Sequence, residues 1–91
     1  MFDDSTVYIL GNNPENSWQK TIVADVQSYS ETILIGEYKF NINKRFFTDY
    51  IEPLLNIESY VEIESKIFKI LNIIEYSDYQ EVWIYLLDIQ R

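Results

Sequence analysis

Apolar and polar residues alternate along most of this chain with a period of two, the pattern of strands with one buried face. Thr6-Val7-Tyr8-Ile9-Leu10 is rich in β-branched and aromatic side chains and predicts a first strand. The turn formers Gly11-Asn12-Asn13-Pro14-Glu15-Asn16-Ser17 end it. Trp18 to Gln27 predicts a second strand, antiparallel to the first across that turn. Its Ile22, Ala24 and Val26 lie on one face, with Lys20, Val23, Asp25 and Gln27 towards the other. Lys39 to Phe47 predicts a third strand, with Phe40, Ile42, Lys44 and Phe46 opposite Asn41, Asn43, Arg45 and Phe47. Pro53 interrupts the connector that follows and pushes Glu52 towards extended geometry. In Tyr60-Val61-Glu62-Ile63-Glu64, Val61 and Ile63 point inward and Glu62 and Glu64 point to water.

Two stretches resist the simple period. Ser28-Tyr29-Ser30-Glu31 breaks the alternation, and Ser30 could cap a short helix with Ile33-Leu34-Ile35 as its body and Gly36 as its end. A helix that short depends on tertiary support. We read residues 30–38 as an inserted loop or short helix. Between Ile67 and Tyr76, Ile67, Ile70, Leu71 and Ile74 fit a helical stripe, whereas Phe68, Ile70 and Ile74 with Tyr76 fit one face of a strand. The density of isoleucine and aromatics favours the strand, reached by a turn at Ser65-Lys66. Ser77-Asp78-Tyr79 then turns the chain into a last strand, Gln80 to Asp88, with Val82, Ile84 and Leu86 opposite Trp83, Tyr85 and Leu87. About six short strands in this rhythm predict a small antiparallel β-barrel or sandwich in one domain spanning residues 1–91. Closure would also remove the edge strands that invite aggregation.

Composition narrows the chemistry. The 91 residues are 47% hydrophobic and 16% aromatic, enough for a dense single core and unlike a disordered chain. Neither cysteine nor histidine occurs, so disulfides, thiolate metal sites and the commonest general base are excluded. The start, Met1-Phe2-Asp3-Asp4-Ser5, lacks the features of a signal peptide, and no apolar run is long enough for a helix to span a membrane. We therefore expect synthesis in the cytoplasm and no membrane partner. The net charge of −8 is uneven, with nine acids and three bases after residue 45, so the basic footprint of a nucleic-acid binder is missing. A solvated acidic surface is the plain reading.

Candidate chemistry is sparse. Glu62 and Glu64 share a strand face and could together hold a hard cation, but an exposed charged face explains them as well. The Asp3-Asp4 pair reads as solvated. Asp25, between Ala24 and Val26, reads as a structural hydrogen-bonding group rather than a catalytic acid, because no histidine, cysteine or second carboxylate stands near it in sequence. Lys44-Arg45 beside Phe46-Phe47 is the only basic pair with aromatic neighbours. It could grip a single strand of nucleic acid, yet such residues more often serve core, interface and pairing with acids. Ile33-Leu34-Ile35 is core if the inserted element folds back and an exposed patch if it projects. Phosphate loops, nucleophile elbows and zinc spacings are absent, and we expect no enzyme and no cofactor.

One ordered set of motifs stands out. Ala24-Asp25-Val26-Gln27 is followed by Tyr29-Ser30, Glu37-Tyr38 and Lys44-Arg45-Phe46-Phe47. Later come Lys66-Ile67-Phe68-Lys69-Ile70 and Ile73-Ile74-Glu75-Tyr76-Ser77-Asp78-Tyr79-Gln80-Glu81-Val82. This order resembles the small head-completion proteins of tailed phages, also called head closure, stopper or head–tail connector proteins. The resemblance covers most of the chain, from residue 20 to 87. Lys39, Ser59 and Ser65 stand where that family often has glycine. The resemblance implies a small β-barrel with an inserted loop or short helix. It implies a viral structural protein of the virion, in an oligomeric ring below the portal and adaptor that closes the DNA-filled head and docks the tail. Its partners would be other head–tail proteins and further copies of itself, near packaged DNA without binding it specifically. On that reading Tyr29, Ile33, Leu34, Ile35, Tyr38, Lys44, Arg45 and Phe47 are the candidate interface residues. The acidic bias of residues 46–91 supports a different class, an inhibitor that mimics DNA charge and blocks a host nuclease or defence protein.

Overall fold

A computed structural model describes residues 4–90, with side chains to residue 87, so residues 1–3, including Asp3, and 91 lie outside the description. Six antiparallel strands form: β1 (Asp4–Gly11), β2 (Lys20–Ile35), β3 (Tyr38–Thr48), β4 (Tyr60–Ile63), β5 (Lys66–Glu75) and β6 (Gln80–Gln90). They hydrogen-bond in the order β1-β2-β3-β6-β5-β4, and β4 pairs back to β1 to close the sheet into a barrel. The all-β, six-strand reading of the sequence holds, including the choice of strand for Ile67 to Tyr76.

The core follows from the period of two. Paired residues in a sheet share a face, so Val7 opposite Ile22, Ile9 opposite Val61, Phe46 opposite Val82 and Ile70 opposite Ile84 all point into the barrel. Each is almost completely buried. Besides a register shift between Ile9 and Gly11 of β1, two bulges break the parity. In β5 one residue, Leu71, is inserted between the pairs Ile70–Ile84 and Asn72–Trp83. The face therefore flips, and Ile73, not Ile74, packs against the core. In β2 the second bulge lies between Ser28 and Glu31.

That bulge corrects the largest error of the sequence reading. Residues 30–38 are neither loop nor short helix. β2 runs through them, and Glu31 to Ile35 pairs with Tyr38 to Ile42 of β3. Ser30 sits at the bulge rather than at a helix cap, and Gly36 starts a two-residue hairpin turn at φ 59°. Among the described residues no helix forms. A straight strand of β2's length would span about 50 Å, more than the molecule's longest dimension of 34 Å, so the strand bends, as bulges require.

The β4–β5 turn is Glu64-Ser65, one residue earlier than expected, because Ile63 pairs with Lys66. Both turn residues have positive φ, 53° and 67°, the requirement of the hairpin turn that favours Asn-Gly. Ser65→Gly is therefore expected to stabilise the fold by about 0.5–1 kcal/mol, the relieved strain exceeding the entropy glycine adds to the unfolded chain. Urea unfolding measures it, and a loss of stability would contradict the assigned turn.

The connector from β3 to β4 closes one end of the barrel. Leu55 enters the core cluster, and Glu52 is 1% exposed. Glu52 accepts hydrogen bonds from the Leu54 amide at 3.1 Å and the Tyr50 hydroxyl at 3.4 Å, and it pairs with Lys20. Its own amide donates to Gln80 Oε1 at 3.0 Å. Lys20 pairs across the sheet with Ile9, so it belongs to the inward face, contrary to the expectation that it points outward. It reaches the buried carboxylate while staying partly solvated. Burial alone would push the Glu52 pKa up. The Lys20 hydrogen bond, the Leu54 amide, the lysine charge and the Tyr50 hydroxyl outweigh burial and hold it below 4.5.

Candidate functional site

The outer wall of β2, β3 and β6 carries the densest polar and aromatic network. Cross-strand register places Gln27 opposite Arg45, and Arg45 opposite Trp83. Arg45 donates from Nε to Gln27 Oε1 at 3.3 Å and from a terminal guanidinium nitrogen to Glu81 Oε2 at 3.2 Å. Gln27 in turn donates to Asp25 Oδ2 at 3.0 Å. Glu81, 7% exposed, also accepts from the Trp83 indole at 2.7 Å and the Tyr76 hydroxyl at 3.2 Å. Burial first, then this carboxylate, raises the Tyr76 pKa above 10.0. The guanidinium lies over the Tyr29 ring at 4.4 Å and the Phe47 ring at 5.1 Å. Asp25 thus has the structural hydrogen bond expected of it, and Arg45 meets an acid as expected.

An open cleft of ≈ 770 Å³, lined in part by Asp25, Gln27 and Arg45 of this network, lies between the start of β1, residues 23–27 of β2, the end of β3 and the β5–β6 turn. Phe47 and Tyr79 line it, their ring centroids 6.5 Å apart. Tyr79 stacks on Tyr76 at 4.5 Å. Asp4, Asp25, Asp49 and Asp78 stand around these rings.

The second surface is the far part of the β2–β3 hairpin. β1 pairs with β2 only as far as Asp25, and β6 pairs with β3 only from Lys44 to Thr48. Beyond those positions the hairpin is a two-stranded ribbon whose outer edges have no partner among the described pairings. Its register puts Ile33 with Phe40 and Ile35 with Tyr38 on one face, and Leu34 with Lys39 on the other. Phe40 leans on Tyr85, ring centroids 5.4 Å apart, and Ile33 is half-buried. Leu34 and Tyr38, at 72% and 71%, are the most exposed large apolar side chains described.

The structure therefore divides the candidate interface residues. Ile33, Leu34, Ile35 and Tyr38 gather at the ribbon tip. Tyr29, Arg45 and Phe47 belong to the outer wall. Lys44 lies on the opposite face of β3 from Arg45, paired with Ser28 and Ile84. Of the two openings left for Ile33-Leu34-Ile35, the exposed one describes Leu34 and Ile35, in extended rather than helical form.

The carboxylate pair of β4 does not form. Glu64 leaves the strand for the turn, and Glu62 is covered: the Trp18 indole donates to it at 3.1 Å and stacks on Tyr8 at 3.8 Å, leaving Glu62 6% exposed. Its outward direction was legible, but the covering by Trp18 from the β1–β2 connector was not. Glu81, Trp83, Gln27 and Tyr76 also escaped the sequence reading. Their one signal was the outer-face alternation of Glu81, Trp83 and Tyr85 along β6. No protein-family model matches the chain, and comparison with curated proteins finds no match either.

Proposed function

We propose that this chain is a non-enzymatic structural subunit of the head-to-tail interface of a tailed phage. It would assemble as a ring below the portal and adaptor, closing the filled head and docking the tail. One observation carries the reading: the β2–β3 ribbon leaves the closed barrel with unpaired edges and an apolar tip of Leu34, Ile35 and Tyr38. Apolar side chains on open strand edges are an association surface, and the ribbon tip carries the two most exposed of the large apolar side chains described. The ordered motifs from Ala24 to Val82 suggest the setting, and the barrel then serves as scaffold for its surfaces.

Leu34→Asp with Tyr38→Asp tests the site. Both side chains are mostly solvated, so the monomer keeps its thermal stability, whereas a buried interface would reject two charges. Purified protein is mixed with tail-less, DNA-filled heads and the neck is viewed by electron microscopy. Wild type is expected to add density below the portal and the double variant to leave the neck bare; equal occupancy by both would remove the ribbon from the interface.

The acidic inhibitor is the second reading, supported by charge: the chain carries 15 acids against 7 bases, with nine of the acids and three of the bases after residue 45. It requires a basic nuclease partner, binding that weakens steeply with salt, and indifference to the Leu34 and Tyr38 changes.

A further inference from the structure

We propose that the cleft beside Arg45 is a second docking site, and that it receives an arginine-bearing segment of a basic partner protein. Its chemistry is cation-directed. Phe47 and Tyr79 form its aromatic floor; Arg45 covers one face of Phe47 and Tyr76 one face of Tyr79, so the opposite faces are the ones a guanidinium would meet. The surrounding Asp4, Asp25, Asp49 and Asp78 supply carboxylates, none of them in a salt bridge among the described residues. The cleft's own cation does not cancel them, because Arg45 is committed to the buried Glu81 at 3.2 Å. Arg45 also shows how this wall holds a guanidinium: stacked on Tyr29 and Phe47, with a carboxylate at its end.

Charge complementarity excludes a second copy as the preferred occupant. The chain carries 15 acids against 7 bases, and Lys20 and Arg45 are already paired with glutamates. Arginine suits the site better than lysine because its planar head can stack and bond a carboxylate together. This inference goes beyond the ribbon contact and uses none of its residues.

The test is an NMR titration of the isotope-labelled full chain with a short peptide of alternating arginine and glycine. The same peptide with citrulline in place of arginine removes the charge and keeps the shape. Amide shifts are expected to concentrate around Asp25, Phe47 to Tyr50 and Asp78-Tyr79. Asp4→Asn, Asp49→Asn and Asp78→Asn together are expected to weaken binding about tenfold. The Leu34→Asp, Tyr38→Asp variant is expected to bind the peptide unchanged, which separates this site from the ribbon. Shifts scattered over the whole acidic surface, equal binding of the citrulline peptide, or an unaffected triple variant would each overturn the proposal. So would cleft shifts that depend on protein concentration without peptide, since they would make the occupant a second copy.

Discussion

Phe46→Ala is expected to cost the fold about 3–5 kcal/mol, the range for truncating a fully buried phenylalanine. Stabilities of single domains run to only about 5–15 kcal/mol, so the variant would sit near its unfolding threshold. The position explains the size. Phe46 is 0% exposed and faces Val26 on one side and Val82 on the other. It therefore lies on the β3–β6 seam, which joins the β1-β2-β3 half of the barrel to the β4-β5-β6 half. Among the described residues the only other pairing between these halves is β1 with β4. A cavity there weakens the closure of the sheet as well as the packing. Urea unfolding measures the loss, with Phe40→Ala on the ribbon as a milder comparison. A cost at position 46 below about 1 kcal/mol would contradict a closed barrel packed around Phe46.

Glu52→Ala is expected to cost about 2–3 kcal/mol, because it strips the buried acceptor from the Leu54 amide and the Tyr50 hydroxyl and releases Lys20. The loss stays below that of a fully buried ion pair because Lys20 returns to water. The pH dependence is the sharper test. The Glu52 pKa is lowered in the folded protein, so the folded state favours the ionised form. Its contribution is fully present above the unfolded value of about 4.5 and is lost as pH falls through the folded value. Glu52→Gln keeps the shape without the charge. The stability gap between wild type and Glu52→Gln is therefore expected to be constant near neutrality and to narrow below pH ~4.5. A gap that stays constant into acid would mean that folding does not lower the Glu52 pKa, and a gap that widens into acid would mean that the folded state favours the protonated form.

The legible and illegible parts of the fold differ in range. Alternation put Ile22 with Ala24, Ile42 with Phe46, and Val82 with Ile84 on shared faces and pointed Val61 and Ile63 inward, and all of these are buried in the barrel, because burial on one face of a strand is a local pattern. Bulges are not local in that sense. The residue inserted between Ser28 and Glu31 erased the period where β2 continues, so Ser30 and Gly36 looked like helix ends. Leu71 did the same in β5 and moved Ile73 into Ile74's expected place. The site shows the same divide. Arg45, Phe47, Leu34 and Tyr38 could be named from residue type. The partners that define their roles, Glu81 36 positions from Arg45 and Trp18 44 positions from Glu62, follow only from strand order, which no run of adjacent residues encodes.

The claim that the ribbon tip is the contact surface is tested most directly by photo-crosslinking on assembled necks. A photoreactive phenylalanine analogue replaces Tyr38 at the tip, and in a parallel protein it replaces Ile57, exposed on the connector that closes the barrel end. Covalent adducts to neck proteins from position 38, with little or none from position 57, are the expected result. Adducts from position 57 with none from position 38 would place the contact on the barrel instead and contradict the assignment.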